Sequence, residues 1–158
     1  MHRSLFVAGQ IVVLASSQAL AQTPSSTRNL IELRAVNAAP APGFHPMKSV
    51  NDTVFYVADS ALLSDDDIQD ATTDTSALNP GHLILEVRLK PSAAARVHEF
   101  TQHHVGDRLA VLFNGELSGS PPIIRDPISG PALQFEGPPV DKTGQFAAAI
   151  AARWYSAH

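Results

Sequence analysis

Apolar and polar residues alternate along parts of this chain and recur at helical spacing along others. Leu30 to Val36 (LIELRAV) alternates as a half-buried strand does. Val54 to Ala58 (VFYVA) is a β-branched and aromatic run and predicts a second strand. From His82 to Leu89, Leu83, Leu85, Val87 and Leu89 share one face, with Ile84, Glu86 and Arg88 on the other. Pro91 suits the first turn of a helix, after which Ala94, Val97, Phe100 and Thr101 recur at helical spacing. Gly106 is placed to end that helix with a left-handed cap. The last segment, Asp141 to Tyr155, sets Phe146, Ile150 and Trp154 four residues apart with Ala149 beside them, a stripe that predicts core.

The turns connect these elements. Asn114-Gly115 lies between two apolar stretches, and both residue types tolerate the positive φ of a type I′ turn. The pattern predicts a hairpin joining Leu109–Phe113 to Glu116–Ser120, and another strand through Leu133, Gln134 and Phe135. Ala38 to Pro46 reads as a Pro-rich link, because Pro40, Pro42 and Pro46 offer no donors to a sheet. Ser64 offers an N-cap hydroxyl, and Asp65, Asp66 and Asp67 load a first helical turn, so a short helix through Ala71 is expected. The triple Asp lacks the alternating acidic spacing and final glutamate of a calcium loop. Together these elements predict an α+β fold with a mixed or antiparallel sheet and helices packed mainly on one face.

Composition narrows the class. The chain has 158 residues, a net charge of −4, no cysteine and 44% apolar residues, which suits a globular domain held by its core without disulfides. The slightly acidic balance argues against nucleic acid and anionic lipid as partners. His2 and Arg3 precede an apolar run, Leu5 to Leu14, followed by Ala19-Leu20-Ala21. That is the layout of a secretory signal peptide with cleavage after Ala21, too short in its apolar part for a span of ~20 residues. The expected organisation is a signal peptide over 1–21, a strand and Pro-rich linker over 22–50, and the main domain over 51–158. The exported form is expected in the periplasm or outside the cell, with no membrane span after cleavage.

No chemical constellation assembles in the sequence. His98, His103 and His104 do not show the i, i+4 spacing of a helical zinc pair, which leaves a surface site at His103 and His104 as the metal alternative. Ser118-Gly119-Ser120 is not a nucleophile elbow, and no phosphate-binding or dinucleotide glycine pattern occurs. The expectation is a protein that is not an enzyme and carries no cofactor or metal.

The order of residues from Leu109 to Gly137 adds a resemblance. Leu109, Ala110, Val111, Gly115, Ser120, Pro122, Ile124, Arg125, Pro127, Ile128, Gly130 and Gly137 fit a pattern running roughly LAIVLDGKVxSAPVIREPIxGGxxxIxG. Upstream, Val97, Phe100, Thr101, Val105 and Gly106 continue it, with His104 in place of the usual Asn. This resembles the head region of the large periplasmic domain of SecD, a subunit of the bacterial protein-translocation machinery, over residues 51 to 152. Pro131 stands where that family often has a second glycine. The resemblance implies a non-catalytic module that contacts unfolded polypeptide or an envelope protein, translocase components included, without the membrane helices that couple SecD to protons. The rival reading is an accessory or structural envelope protein that reuses the fold for another task.

One segment is singled out for binding: Ile123, Ile124, Arg125, Asp126 and Pro127. It lies between a Pro-Pro pair and Pro127, so it predicts a sheet edge or an edge-adjacent loop where an extended chain can pair. Pro138-Pro139 limits the strand through Phe135 in the same way. Such prolines equally protect an edge from aggregation. Arg125-Asp126 is either a recognition pair or, the preferred reading, a local ion pair that fixes the loop before Pro127.

Overall fold

The computed structural model describes residues 28–77, 79–137 and 140–155, with only the backbone of 140–144 and 155. Eight strands and two helices follow in chain order: β1 (Ile31–Asn37), β2 (Phe44–Lys48), β3 (Val54–Ala58), β4 (Ile68–Thr75), β5 (Leu83–Leu89), α1 (Pro91–His103), β6 (Arg108–Phe113), β7 (Glu116–Leu117), β8 (Ala132–Glu136) and α2 (Val140–Ile150). A π-helical turn, Ala151–Tyr155, continues α2. The strands divide into a five-stranded sheet in the order β2-β3-β1-β6-β7 and a three-stranded sheet in the order β4-β5-β8. Every named strand pair is antiparallel. The fold is α+β, with two helices packed against antiparallel sheets.

The main core lies between the sheets and the helices. β1 contributes Ile31 and Leu33, and β6 contributes Leu109, Val111 and Phe113 from the same sheet face. β5 answers with Leu83, Leu85, Val87 and Leu89, the face that its alternation marks. Ala93 and Val97 from α1, and Phe146, Ile150 and Trp154 from the C-terminal helical segment, close the same cluster. β6 is buried on both faces: Ala110 and Leu112 join Val57 and Leu117 in a second cluster on the opposite side of the sheet. Fully burying a large apolar side chain contributes about 1.5–3 kcal/mol.

Asp65 shows how the triple Asp is used. Its side chain is buried and accepts the backbone N–H groups of Leu30 and Ile31 at 2.8 and 2.9 Å. Arg153 approaches it at 3.3 Å, so one carboxylate ties the start of β1 to the C-terminal helical turn. Asp67 accepts from the Ser64 amide at 3.0 Å and pairs with Arg96 of α1 at 2.7 Å.

Three expectations are corrected. The helix from Ser64 does not reach Ala71: it is a single 3-10 turn, Asp65–Asp67, and the chain then enters β4. The three carboxylates favour only the first turn, and the β-branched Thr72, Thr73 and Thr75 beyond it suit an edge strand. The Pro-rich link contains a strand, β2, because an edge strand tolerates Pro46 when the missing donor faces outward. Gly106 has φ +97° but lies two residues beyond the α1 C-cap, His104, in the turn into β6.

Candidate functional site

The Asn114-Gly115 turn is as expected. Phe113 pairs with Glu116 across it, and the two turn residues have φ of 51° and 75°, the left-handed pair that a type I′ hairpin requires. The second arm is shorter than predicted, since β7 is only Glu116–Leu117. Ser118 N–H still donates to Val111 C=O at 2.9 Å; the chain then leaves β6 through Gly119 and Ser120 and returns along it. Leu109 N–H donates to Pro122 C=O at 3.1 Å, and Ile124 N–H donates to Asp107 C=O at 2.8 Å. Gly106 N–H in turn donates to Ile124 C=O at 2.8 Å, and Arg108 bridges Ile123. The segment from Pro122 to Ile124 therefore forms the outer margin of the five-stranded sheet beside β6.

The five candidate residues are contiguous, but their side chains differ. Ile124 faces inward and is 5% exposed, a member of the main core. Ile123 faces outward and is 48% exposed. Arg125, Asp126 and Pro127 are exposed. Among the described residues Arg125 and Asp126 form no ion pair, with each other or with a third group, so the preferred local pair is not present. Leu109 and Pro122 to Ile128 line a shallow groove of about 390 Å³ over this margin.

The loop beyond is pinned at its far end. Thr101, fully buried on α1, accepts the Ile128 N–H through Oγ1 at 2.9 Å while donating that hydroxyl to Val97 C=O at 2.8 Å. His98 donates Nδ1–H to Ile128 C=O at 3.0 Å. The backbone groups of Ile124 and Ile128 are thus held by hydrogen bonds, from the backbone and from α1 side chains respectively, and the three residues between them project into solvent. In the sequence, Thr101 stands within the apolar stripe of α1 and within the stretch that resembles SecD, with no contact assigned to it. A hydroxyl within such a stripe is the available sign of a second task.

The histidines are engaged locally. His103 and His104 donate Nδ1–H to the carbonyls of Glu99 and Phe100 at 2.8 and 2.7 Å, and the His104 ring stacks on Phe100 with centroids 3.9 Å apart. Among the described residues no group of three or more His, Cys, Asp or Glu side chains converges as a metal site. No helix among them is long and apolar enough to cross a membrane. Pro138-Pro139 and the signal peptide expected over 1–21 lie outside the described residues.

The fold matches a known class. The family model described as the SecDF P1 head subdomain matches residues 44–152, more than half of the chain. The chain belongs to the SecDF P1 head family. Among solved structures, it is similar to SecDF in a super-membrane-facing form, with 20% identity and a TM-score of 0.59 over 78% of this chain and 18% of that one. A second, described as a membrane component SecDF that enhances protein export, gives 20% identity and a TM-score of 0.56 over 78% of this chain and 62% of that one. At this identity the likeness shows the fold, and the matched region spans about a fifth of the first structure's length. No curated protein matches the chain in sequence.

Proposed function

We propose that this protein is an exported, non-catalytic binding module that contacts unfolded polypeptide, or an envelope protein, in connection with protein translocation. Membership of the SecDF P1 head family supports the setting. The observation that carries the binding reading is the margin from Ile123 to Pro127: two ends fixed by hydrogen bonds, with Ile123, Arg125 and Asp126 exposed between them. A surface held rigid before binding loses little conformational entropy when it binds. Adjacent charges of opposite sign give the margin no net charge, which suits a site that must accept chains of varied composition.

Ile124 is not a contact in this reading. Its burial makes Ile124→Asp a test of folding, since an unpaired charge would enter the core. Ile123→Asp is the informative change. Titrating the isotope-labelled protein with an unfolded model chain is expected to shift the amides from Ile123 to Ile128, with weaker binding by Ile123→Asp. Shifts confined to another surface, or none at millimolar chain, overturn the reading.

A further inference from the structure

The hydrogen bonds that hold the margin against β6 also determine which of its backbone groups are spent. Pro122 C=O is taken by Leu109, and both peptide groups of Ile124 are taken by Asp107 and Gly106. In an extended chain, successive residues direct their N–H and C=O groups to opposite sides. The N–H and C=O groups of Ile123, and the N–H of Arg125 across the trans peptide from Ile124 C=O, therefore face away from the sheet. Among the described residues none of these three groups has a hydrogen-bond partner. Pro122 on one side and Pro127 on the other have no N–H to offer, so the free edge is bounded to Ile123–Asp126.

From this edge we infer that the module binds its polypeptide by main-chain pairing, adding an extended segment alongside Ile123 and Arg125 as an outer strand of the five-stranded sheet. This inference rests on the proposed contact between the margin and polypeptide, and it names the mode of that contact. An extended peptide is the occupant whose chemistry fits, because it presents alternating donors and acceptors at the repeat that this edge presents. Side chains of the added segment would lie on either side of it. One set meets Ile123, which is exposed on the outer side, and the other meets the groove that reaches Ile128. Apolar residues at alternate positions are thus the preferred composition, and charge has little influence beside the balanced Arg125 and Asp126. The short free edge predicts weak binding and tolerance of sequence.

The test separates main-chain from side-chain contact in the full exported protein. The probe is an eight-residue peptide of alternating valine and threonine, compared with a twin whose four central backbone nitrogens are methylated. The amides of Ile123 and Arg125 are expected to shift and to exchange more slowly with the first peptide, and affinity for the methylated twin is expected to fall by about tenfold or more. Ile123→Pro, which removes one outward donor, should weaken binding by a similar factor, whereas Ile123→Ala should change it by less than about threefold. If Ile123→Pro fails to fold, the two peptides on the wild-type protein decide the matter alone. Equal affinity for both peptides overturns main-chain pairing and leaves polypeptide contact through side chains standing. No shift anywhere between residues 122 and 128, with either peptide or an unfolded chain, overturns both.

Discussion

At Gly115 a single dihedral angle decides whether the hairpin closes. Its φ of +75° lies where a β-branched residue is strained, while the space beside it holds only the flexible Arg28 side chain, 3.2 Å from where a Cβ would stand. Gly115→Val is therefore expected to lower stability by about 1–2 kcal/mol through backbone strain, read as a lower urea midpoint. Gly119→Val, at a glycine without positive φ and with open space around it, should leave the midpoint nearly unchanged. Coincident midpoints for Gly115→Val and wild type would contradict the assignment. Asp67 carries the acid dependence that can be assigned. Burial by itself raises its pKa, but the hydrogen bond from Arg96, the Ser64 amide and the charge of Arg96 together outweigh it, and the net shift is below the ordinary 3.8. A carboxylate depressed in the folded state stabilises above the unfolded value and loses that contribution as pH falls through the folded one. The stability gap between wild type and Asp67→Asn should therefore be constant near neutrality and close as pH drops below about 4. A gap that widens in acid would reverse the sign. The Asn-Gly turn is legible from two residues, because its chemistry is local. The role of Asp67 is not, since its partner Arg96 stands on α1, beyond two intervening strands.

Elements that alternate strongly are legible in the sequence, and those whose burial is set by distant partners are not. β1, β3 and β5 show their strand character because each presents β-branched or leucine residues at alternate or successive positions. β2 is hidden by Pro46 and β4 by its Asp and Thr content, since an edge strand need not be apolar on both faces. The margin at Ile123–Pro127 reads as edge-like from its prolines, and its hydrogen bonds place it beside β6. The division of labour between Ile123 and Ile124 requires the register against β6. Alternation alone cannot supply it when the chain leaves β6 between Ser118 and Pro121. α1 holds the far end of that margin through Thr101. Thr101→Val keeps the side-chain shape but leaves the Ile128 N–H without its partner, at a cost of about 1–3 kcal/mol. Beyond lower stability, a positioning role predicts faster hydrogen exchange at Ile128 and weaker peptide binding, with Thr101→Ser restoring both. Unchanged exchange at Ile128 would show that the loop is held by other contacts.

For the whole molecule, family membership defines the fold. The SecDF structures it resembles are longer, and the family match runs from β2 through α2. A fold of this kind can be reused, so partner identity must come from the surface and from the compartment in which that surface is displayed. Unfolded chains emerging from a translocation channel are available only on the far side of the inner membrane. The sequence of residues 1–21 bears on that point, and the expectation it carries is a leader: a basic start at His2 and Arg3, an apolar run from Leu5 to Leu14, and Ala19-Leu20-Ala21 in the small-x-small arrangement of a cleavage site. Cleavage after Ala21 would release a chain beginning at Gln22, with no cysteine there to receive a lipid and none elsewhere to be oxidised in the periplasm. Expression of the full chain followed by osmotic release and intact-mass measurement is expected to yield one species starting at Gln22. Replacing Ala19 and Ala21 by bulky residues should block processing and retain the protein with the membrane fraction. A released protein whose mass still includes Met1 to Ala21 would refute cleavage there. Recovery of all the protein from the cytoplasm would remove the compartment in which polypeptide capture during export has meaning.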